Sequence, residues 1–379
     1  MKSSILKMKN FPLLAVLLIG LIGCGVGGDT GRLSLSLTDA ATDQYDAVYV
    51  TIKEIEVHAA DDPADSWTTV AAPNKTYNLL ALANGVREDL GLADLTAGHY
   101  TQLRLIIGDE ADGGVNILSQ AHPAANYVID TAGEDHELKI PSGLQTGVKI
   151  VQGFDIDENR TTELILDFDA SKSVVVAGRS AKFILKPTIR VLSTTLASII
   201  SGSVTSAADQ SAIEGAIVSA QVYDATAADV KDQVVVQTST VSSETGAYAL
   251  FIAPGTYNLV AGKLGFASSA VEIATEPGQT PTQDFSLAAA DTGTVAGTAS
   301  IAGANSEAFV TLSFRQTVSL GGADVVIEIM SVNVANGGGY SVDLPVGVYS
   351  VVSSTLGKTT QQADVTVDLG ATTTFDVSF

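Results

Sequence analysis

The chain has 379 residues, with 42 acidic against 20 basic side chains, a net charge of −22 and a hydrophobic fraction of 46%. So acidic a surface repels phosphate backbones and argues against a nucleic-acid partner. One cysteine leaves no internal disulfide, so each domain has to stand on its own apolar core.

The first residues have the three parts of a secretory signal. Lys2, Lys7 and Lys9 form a basic start, and Phe11 to Ile22 is an uncharged apolar run. That run is shorter than the roughly 20 residues a membrane-spanning helix needs. Leu21-Ile22-Gly23-Cys24 then resembles the lipobox of bacterial lipoproteins. The resemblance implies removal of residues 1–23, a diacylglyceryl thioether on Cys24 and an acylated Cys24 amine. Cleavage would remove three lysines and no acid, taking the charge from −22 to −25. Two or three acyl chains anchor a protein stably where one does not. Gly25, where an aspartate would signal retention, resembles the signal for transfer to the outer membrane of Gram-negative bacteria. Residues 24–30 read as a Gly-rich flexible tether.

Beyond the tether the chain reads as all-β: three tandem antiparallel β-sandwich domains at 31–195, 196–290 and 291–379. Its richness in Val, Thr, Ala, Gly and Ser suits strands joined by many turns. Arg32-Leu33-Ser34-Leu35-Ser36-Leu37 alternates polar and apolar residues, the mark of a half-buried strand. A second strand covers 48–52 and continues through Ile55 and Val57. Its apolar phase slips by one between Ile52 and Ile55, which predicts a bulge. One short helix is expected at 78–84, and further strands at 101–107, 148–156, 163–168 and 182–192. Asp157-Glu158-Asn159-Arg160 reads as a hairpin turn.

The remainder contains a repeat at an offset of 92 residues. Gly246-Ala247-Tyr248 falls on Gly338-Gly339-Tyr340, Gly255-Thr256-Tyr257 on Gly347-Val348-Tyr349, and Leu264-Gly265 on Leu356-Gly357. Repetition at this length means two copies of one domain. Gly202-Ser203-Val204, Ile213-Glu214-Gly215-Ala216, Glu244-Thr245-Gly246-Ala247-Tyr248 and Pro254-Gly255-Thr256-Tyr257 resemble the carboxypeptidase regulatory-like domain. That resemblance implies a transthyretin-like sandwich close to the Cna B-type modules. The second copy keeps the tyrosine turns and lacks the Glu-Gly-Ala element. Leu95-Thr96-Ala97-Gly98-His99-Tyr100 shows the same Gly-x-Tyr turn, which extends the pattern to the first domain.

Residues 31–195 as a whole resemble domain of unknown function 4382. The matching stretches include Asn78-Leu79-Leu80-Ala81-Leu82, the 97–105 run, Leu166-Asp167-Phe168-Asp169 and Leu185-Lys186-Pro187. The family brings no established activity with it.

Catalytic signatures are few. His58, His99, His122 and His136 are all the histidines, and none belongs to a His-x-x-Glu zinc pair. There is no Gly-x-Ser-x-Gly elbow and no phosphate loop. An acylated Cys24 would not serve as a nucleophile. Asp167 and Asp169 should share one strand face, a spacing open to acid–base work or a cation, although capping and solvated acids are commoner. Asp155, Asp157 and Asn159 begin like an EF-hand loop, but Arg160 and Leu166 stand where the loop needs glycine and a bidentate glutamate. They remain candidate calcium ligands in a looser site, as do Asp109, Glu110 and Asp112. Cna B-type modules often carry a Lys–Asn crosslink from an early strand. Here the only lysines of the two copies are Lys231, Lys263 and Lys358, so none is expected.

The sequence thus points to a non-enzymatic, lipid-anchored envelope protein. Two modules would project from the first as a stalk or interaction surface for adhesion or scaffolding. Carbohydrate binding through starch-binding-like modules is the alternative. The partners this implies are the membrane, through the acyl chains on Cys24, and an envelope protein or a polysaccharide. No cofactor is implied beyond calcium.

Overall fold

The computed structural model describes residues 30–40, 42, 44–61, 66–141, 147–177, 182–194, 197–304 and 308–379. Cys24 and the signal and tether around it lie outside the described residues, except for Thr30. Almost every described element is a strand; the exceptions are a four-residue α-helix, Ala170–Ser173, and short 3-10 turns.

Three apolar clusters mark three sandwiches. The first gathers Leu33, Leu35 and Leu37 with Val48, Val50, Ile52, Ile55 and Val57. Each such fully buried side chain contributes roughly 1.5–3 kcal/mol. The second is built on Ile200, Val204, Tyr248, Tyr257 and Leu259, and the third on Val295, Leu312, Phe314, Tyr349 and Val351. The bulge read from the 48–57 strand is present. Within the strand Tyr45–Ala59, pairing with Gly98–Ile107 shifts register between Ile52 and Glu54. Lys53 is thereby the extra residue, and the positions that enter this core change from even to odd numbers across it.

The three domains share one plan. In each, the opening strand lies between an antiparallel and a parallel neighbour. Thr30–Ala40 pairs with Glu88–Thr96 and, in parallel, with Thr161–Asp169. Ser198–Ser206 pairs with Ala247–Ile252 and, in parallel, with Phe285–Leu287. Thr292–Ser300 pairs with Gly338–Pro345 and, in parallel, with Thr372–Thr374. In each, the antiparallel neighbour then crosses to the opposite sheet through a Gly-x-Tyr corner. Tyr100, Tyr257 and Tyr349 each donate their hydroxyl to the carbonyl four residues back, at 3.0, 2.8 and 2.8 Å. Gly98 and Gly347 have φ of +152° and +159°, conformations that side chains with a Cβ avoid.

Three local expectations change. The 148–156 segment is two short strands, Val148–Ile150 and Phe154–Ile156, both on Gly98–Ile107. The 182–192 segment is also two strands, Lys182–Leu185 and Ile189–Ser193, in opposite sheets. Pro187 separates them, since it has no amide to donate to a ladder. The turn at 157–160 is real, with Asn159 in the left-handed region. It is not a hairpin: the strand after it leaves its predecessor's sheet and pairs with Thr30–Ala40.

The domains are folded against one another instead of strung out as a stalk. Val176 in the strand Val174–Ala177 of the first domain pairs with Val334 of the third, in the strand Ala323–Ala335, so one sheet runs through both. Lys186 of the first domain stacks its ammonium 4.0 Å over the Phe309 ring of the third. Asn84 reaches the second domain with three hydrogen bonds, to Thr240 Oγ1 (2.7 Å), the Ala247 carbonyl and the Ala249 amide. Second and third domains meet through Gln221, whose side-chain amide donates to and accepts from the Glu328 backbone at 2.8 Å each way.

Candidate functional site

Where the three domains meet, they leave an open cleft with a cavity of about 370 Å³. The second domain supplies Ile217, Val260 and Leu264 from its Ile217–Tyr223 and Gly255–Gly262 sheet. The third supplies Ile329, Met330 and Leu344, and the first only Gln44. Polar groups alternate with these: Ser219, Ser268, Ser341 and Glu328, with Lys263 and Asp343 contributed by different domains. Part of one wall is the edge of the strand Ala323–Ala335, whose strand neighbours on that side begin only at Val334. Gln221 caps the same edge at Glu328. Among the described residues, no aromatic ring lines this cavity. A cleft at a domain interface is a common place for a binding site.

Of the residues singled out from the sequence, Lys263 lines the cleft and the others placed here lie elsewhere. Asp155 is exposed and holds His99 Nδ1 at 2.8 Å. Asp157 accepts the Arg160 amide at 3.3 Å, and the Asn159 amide donates to the Thr30 carbonyl at 2.9 Å, so both tie down the crossover turn. Asp112 binds the amides of Thr76 and Gly114, while Asp109 and Glu110 face solvent. His58 meets Thr101 Oγ1, and His122 meets the Tyr127 hydroxyl at 2.8 Å. Asp169 caps the helix Ala170–Ser173 by accepting the Lys172 amide at 3.1 Å. Lys231 pairs with Asp229 and Asp232, and Lys263 donates to the Gly215 carbonyl at 3.1 Å.

One cluster escaped the sequence reading. Among the described residues, Asp130, Glu134 and His136 bring three ligand atoms within 4.8 Å of one another. Their spacing in Asp130…Glu134-Asp135-His136 was the available signal. The cluster is the tip of a hairpin that binds itself. Asp130 accepts the amides of Ala132 and Glu134 and meets His136 Nε2 at 2.8 Å, and the His136 ring stacks on Phe183 at 4.5 Å. The His136 contact and those amides hold the Asp130 carboxyl below its ordinary value.

Residues 30–187 match the model of domain of unknown function DUF4382, and residues 199–288 match that of the carboxypeptidase regulatory-like domain. Each family is matched by one stretch of the chain. Tyr248, Tyr257 and all but the first residue of the Ser198–Ser206 strand fall inside the match to the regulatory-like domain. The domain after it repeats the same hydrogen bonds 92 residues on. Tyr248 donates to the Gln283 carbonyl at 2.5 Å, and Tyr340 to the Phe375 carbonyl at 2.6 Å. The DUF4382 domain has the same opening-strand plan and the same corner at Tyr100.

No curated protein matches the chain significantly. Among solved structures, the Bacillus anthracis TIE protein is 12% identical over 93% of this chain, with a TM-score of 0.21. The chain spans 50% of that protein's length. A streptococcal ancillary pilin is 10% identical, covering 91% of this chain and 98% of its own, with a TM-score of 0.21. The shaft pilin SpaA of Lactobacillus rhamnosus GG is 8% identical over 48% of this chain and 97% of its own, with a TM-score of 0.20.

Proposed function

We propose that this is a non-enzymatic, lipid-anchored protein of the cell envelope that binds a partner in the cleft between its regulatory-like domain and the domain that follows. The observation that carries the reading is the cleft itself. It is walled by two domains that side-chain and backbone hydrogen bonds hold in fixed register, so its shape is set before a ligand arrives, which lowers the ordering cost of binding. A lining with no aromatic ring among the described residues favours a polypeptide over a sugar, because sugar platforms use exposed aromatic faces. Trp67, the only tryptophan, is already occupied, with Arg104 at 4.3 Å and Lys149 at 5.7 Å from its ring.

The anchor is tested by metabolic labelling with an alkyne fatty acid. The wild-type chain takes up label and sediments with membranes, whereas Cys24→Ser is unlabelled and leaves the membrane fraction. Label on the serine variant would end that part of the reading.

Binding is tested with a photo-crosslinking amino acid in place of exposed Ser341, in cells, beside a control at exposed Asp209. An adduct at 341 that is absent at 209, and reduced at least tenfold by Met330→Arg, supports the cleft. Strong signals on a glycan array that Met330→Arg leaves intact would favour the carbohydrate reading instead.

A further inference from the structure

The strand Thr161–Asp169 carries Leu164, Leu166 and Phe168 into the core of the first domain. Asp167 lies between them and therefore points the other way, beside Thr38 on the parallel neighbour. That outer face is covered by the second domain. Asp167 is 4% exposed, and the Thr238 hydroxyl, from the second-domain strand Val234–Val241, hydrogen-bonds it. Its Oδ1 accepts a hydrogen bond from no described residue. Beside it is a cavity of about 10 Å³ lined by Thr38, Thr238, Thr240, Ala249 and Phe251, the room of one water molecule.

The charges facing this carboxyl all come from the first domain. Asp169 follows two residues on along the same strand, and Lys172 lies on the short helix beyond. Arg190, on the strand Ile189–Ser193, is the direct cross-strand partner of Asp167. Its Nη2, however, donates across the interface to the Val236 carbonyl at 2.5 Å. The second domain presents only Thr238, Ser239, Thr240, Ala249, Leu250 and Phe251 to the cavity, and none of them ionises. Asp39, one position along the neighbouring strand, also lines this cavity, and its Oδ1 accepts the Ala170 amide at 2.9 Å. What the interface offers Asp167 suits a neutral acid: a dry surround and a cation already bonded elsewhere.

We propose that Asp167 is a proton-operated latch between the first and second domains. Protonated, it lets the two faces close. Ionised, it places a charge in a dry interface beside Asp169 and draws Arg190 away from Val236. Burial, reinforced by Asp169, pushes the Asp167 carboxyl up to about 7 against an ordinary value of 3.8, while Thr238, Arg190 and Lys172 act in the opposite sense. The closed form thus holds a proton that the separated form lacks across that window. Closure is strongest below the ordinary value and weakens as pH rises towards 7. The Asn84 hydrogen bonds, which do not titrate, keep the domains in register, so what changes is how tightly they close.

The test is hydrogen–deuterium exchange of the full chain at pH 5 and pH 8, corrected for intrinsic chemical exchange and read on residues 234–241. In the wild type the corrected exchange should rise at least tenfold between the two values. Asp167→Asn should be equally protected at both. Wild-type protection that is the same at pH 5 and 8, or an Asn variant that keeps the wild-type dependence, would overturn the proposal. Thr238→Val provides an independent reading should the Asn variant misfold. Without the hydroxyl that favours the ionised form, the midpoint of the transition should move to higher pH, and an unmoved midpoint also counts against the latch.

Discussion

Arg315→Ala should cost about 3–5 kcal/mol, the range seen when one partner of a buried charged network is removed, and should split one unfolding transition into two. Arg315 is only 3% exposed, although it lies on the outer face of its sandwich. Along its strand, Phe309–Leu320, Leu312 and Phe314 fill the core of the third domain, while Ser313 and Arg315 face the second. The guanidinium uses its donors in a planar fork. Nη1 reaches the Val230 carbonyl at 2.7 Å, Nη2 the Lys231 carbonyl at 2.9 Å, and Nε the Ser313 hydroxyl at 2.9 Å. Ser313 in turn donates to Glu328 Oε2 at 2.5 Å. Truncation leaves the Val230 and Lys231 carbonyls of the second domain without these donors and Glu328 without its nearby cation. Arg315→Lys should recover little, because a point charge cannot serve both carbonyls at once. Urea denaturation followed by domain-specific probes separates the outcomes. A single, undiminished transition in Arg315→Ala would mean that the domains are held together elsewhere.

Arg315 also shows where sequence reading stopped. The fold was legible wherever a signal is local. The phase slip at Lys53, the Gly-x-Tyr corners and the 92-residue repeat each depend on residues within a few positions of one another, or on a copy of themselves. The splits at Pro187 and at 151–153 had local signals, a proline and Gln152-Gly153, that the apolar residues on either side outweighed. The 157–160 turn was recognisable as a turn, but which strand receives its exit depends on a parallel pairing to residues 32–40, which no local pattern encodes. The candidate site was the least legible. Gln221, Glu328, Arg315, Asn84 and Asp167 all occupy positions that alternation assigns to the outward, polar side of a strand or turn. An outward residue facing solvent and one facing another domain have the same periodicity. Asp167 alone gave a hint, as an acid in an otherwise apolar strand, and the reading attached to it was catalytic or cation-binding.

The shared plan of the repeats predicts a matched pair of lesions. A Cβ on Gly202 would lie 1.8 Å from the Gln283 carbonyl oxygen, and one on Gly297 would lie 2.0 Å from that of Phe375. Both glycines sit where the returning chain passes close over the opening strand. The returning chain is held there in the same way in each copy. The Ser203 amide donates to Asp284 Oδ1 at 2.8 Å and the Thr298 amide to Asp376 Oδ1 at 2.7 Å, while Tyr248 and Tyr340 pin the carbonyls just before. Backbone cannot rotate aside as a side chain can, so each Gly→Ala change should cost about 3 kcal/mol, the upper end for overpacking. The two costs should add, since the sites share no partners. Gly339→Ala is the control: its Cβ would meet nothing nearer than the Gly297 carbonyl oxygen at 3.6 Å, so its effect should be small. Equal losses at Gly202 and Gly297 in thermal denaturation would make the close crossing a property of the domain plan. Tolerance at Gly297 with collapse at Gly202 would mean that the second copy has relaxed the crossing while keeping its tyrosine corners.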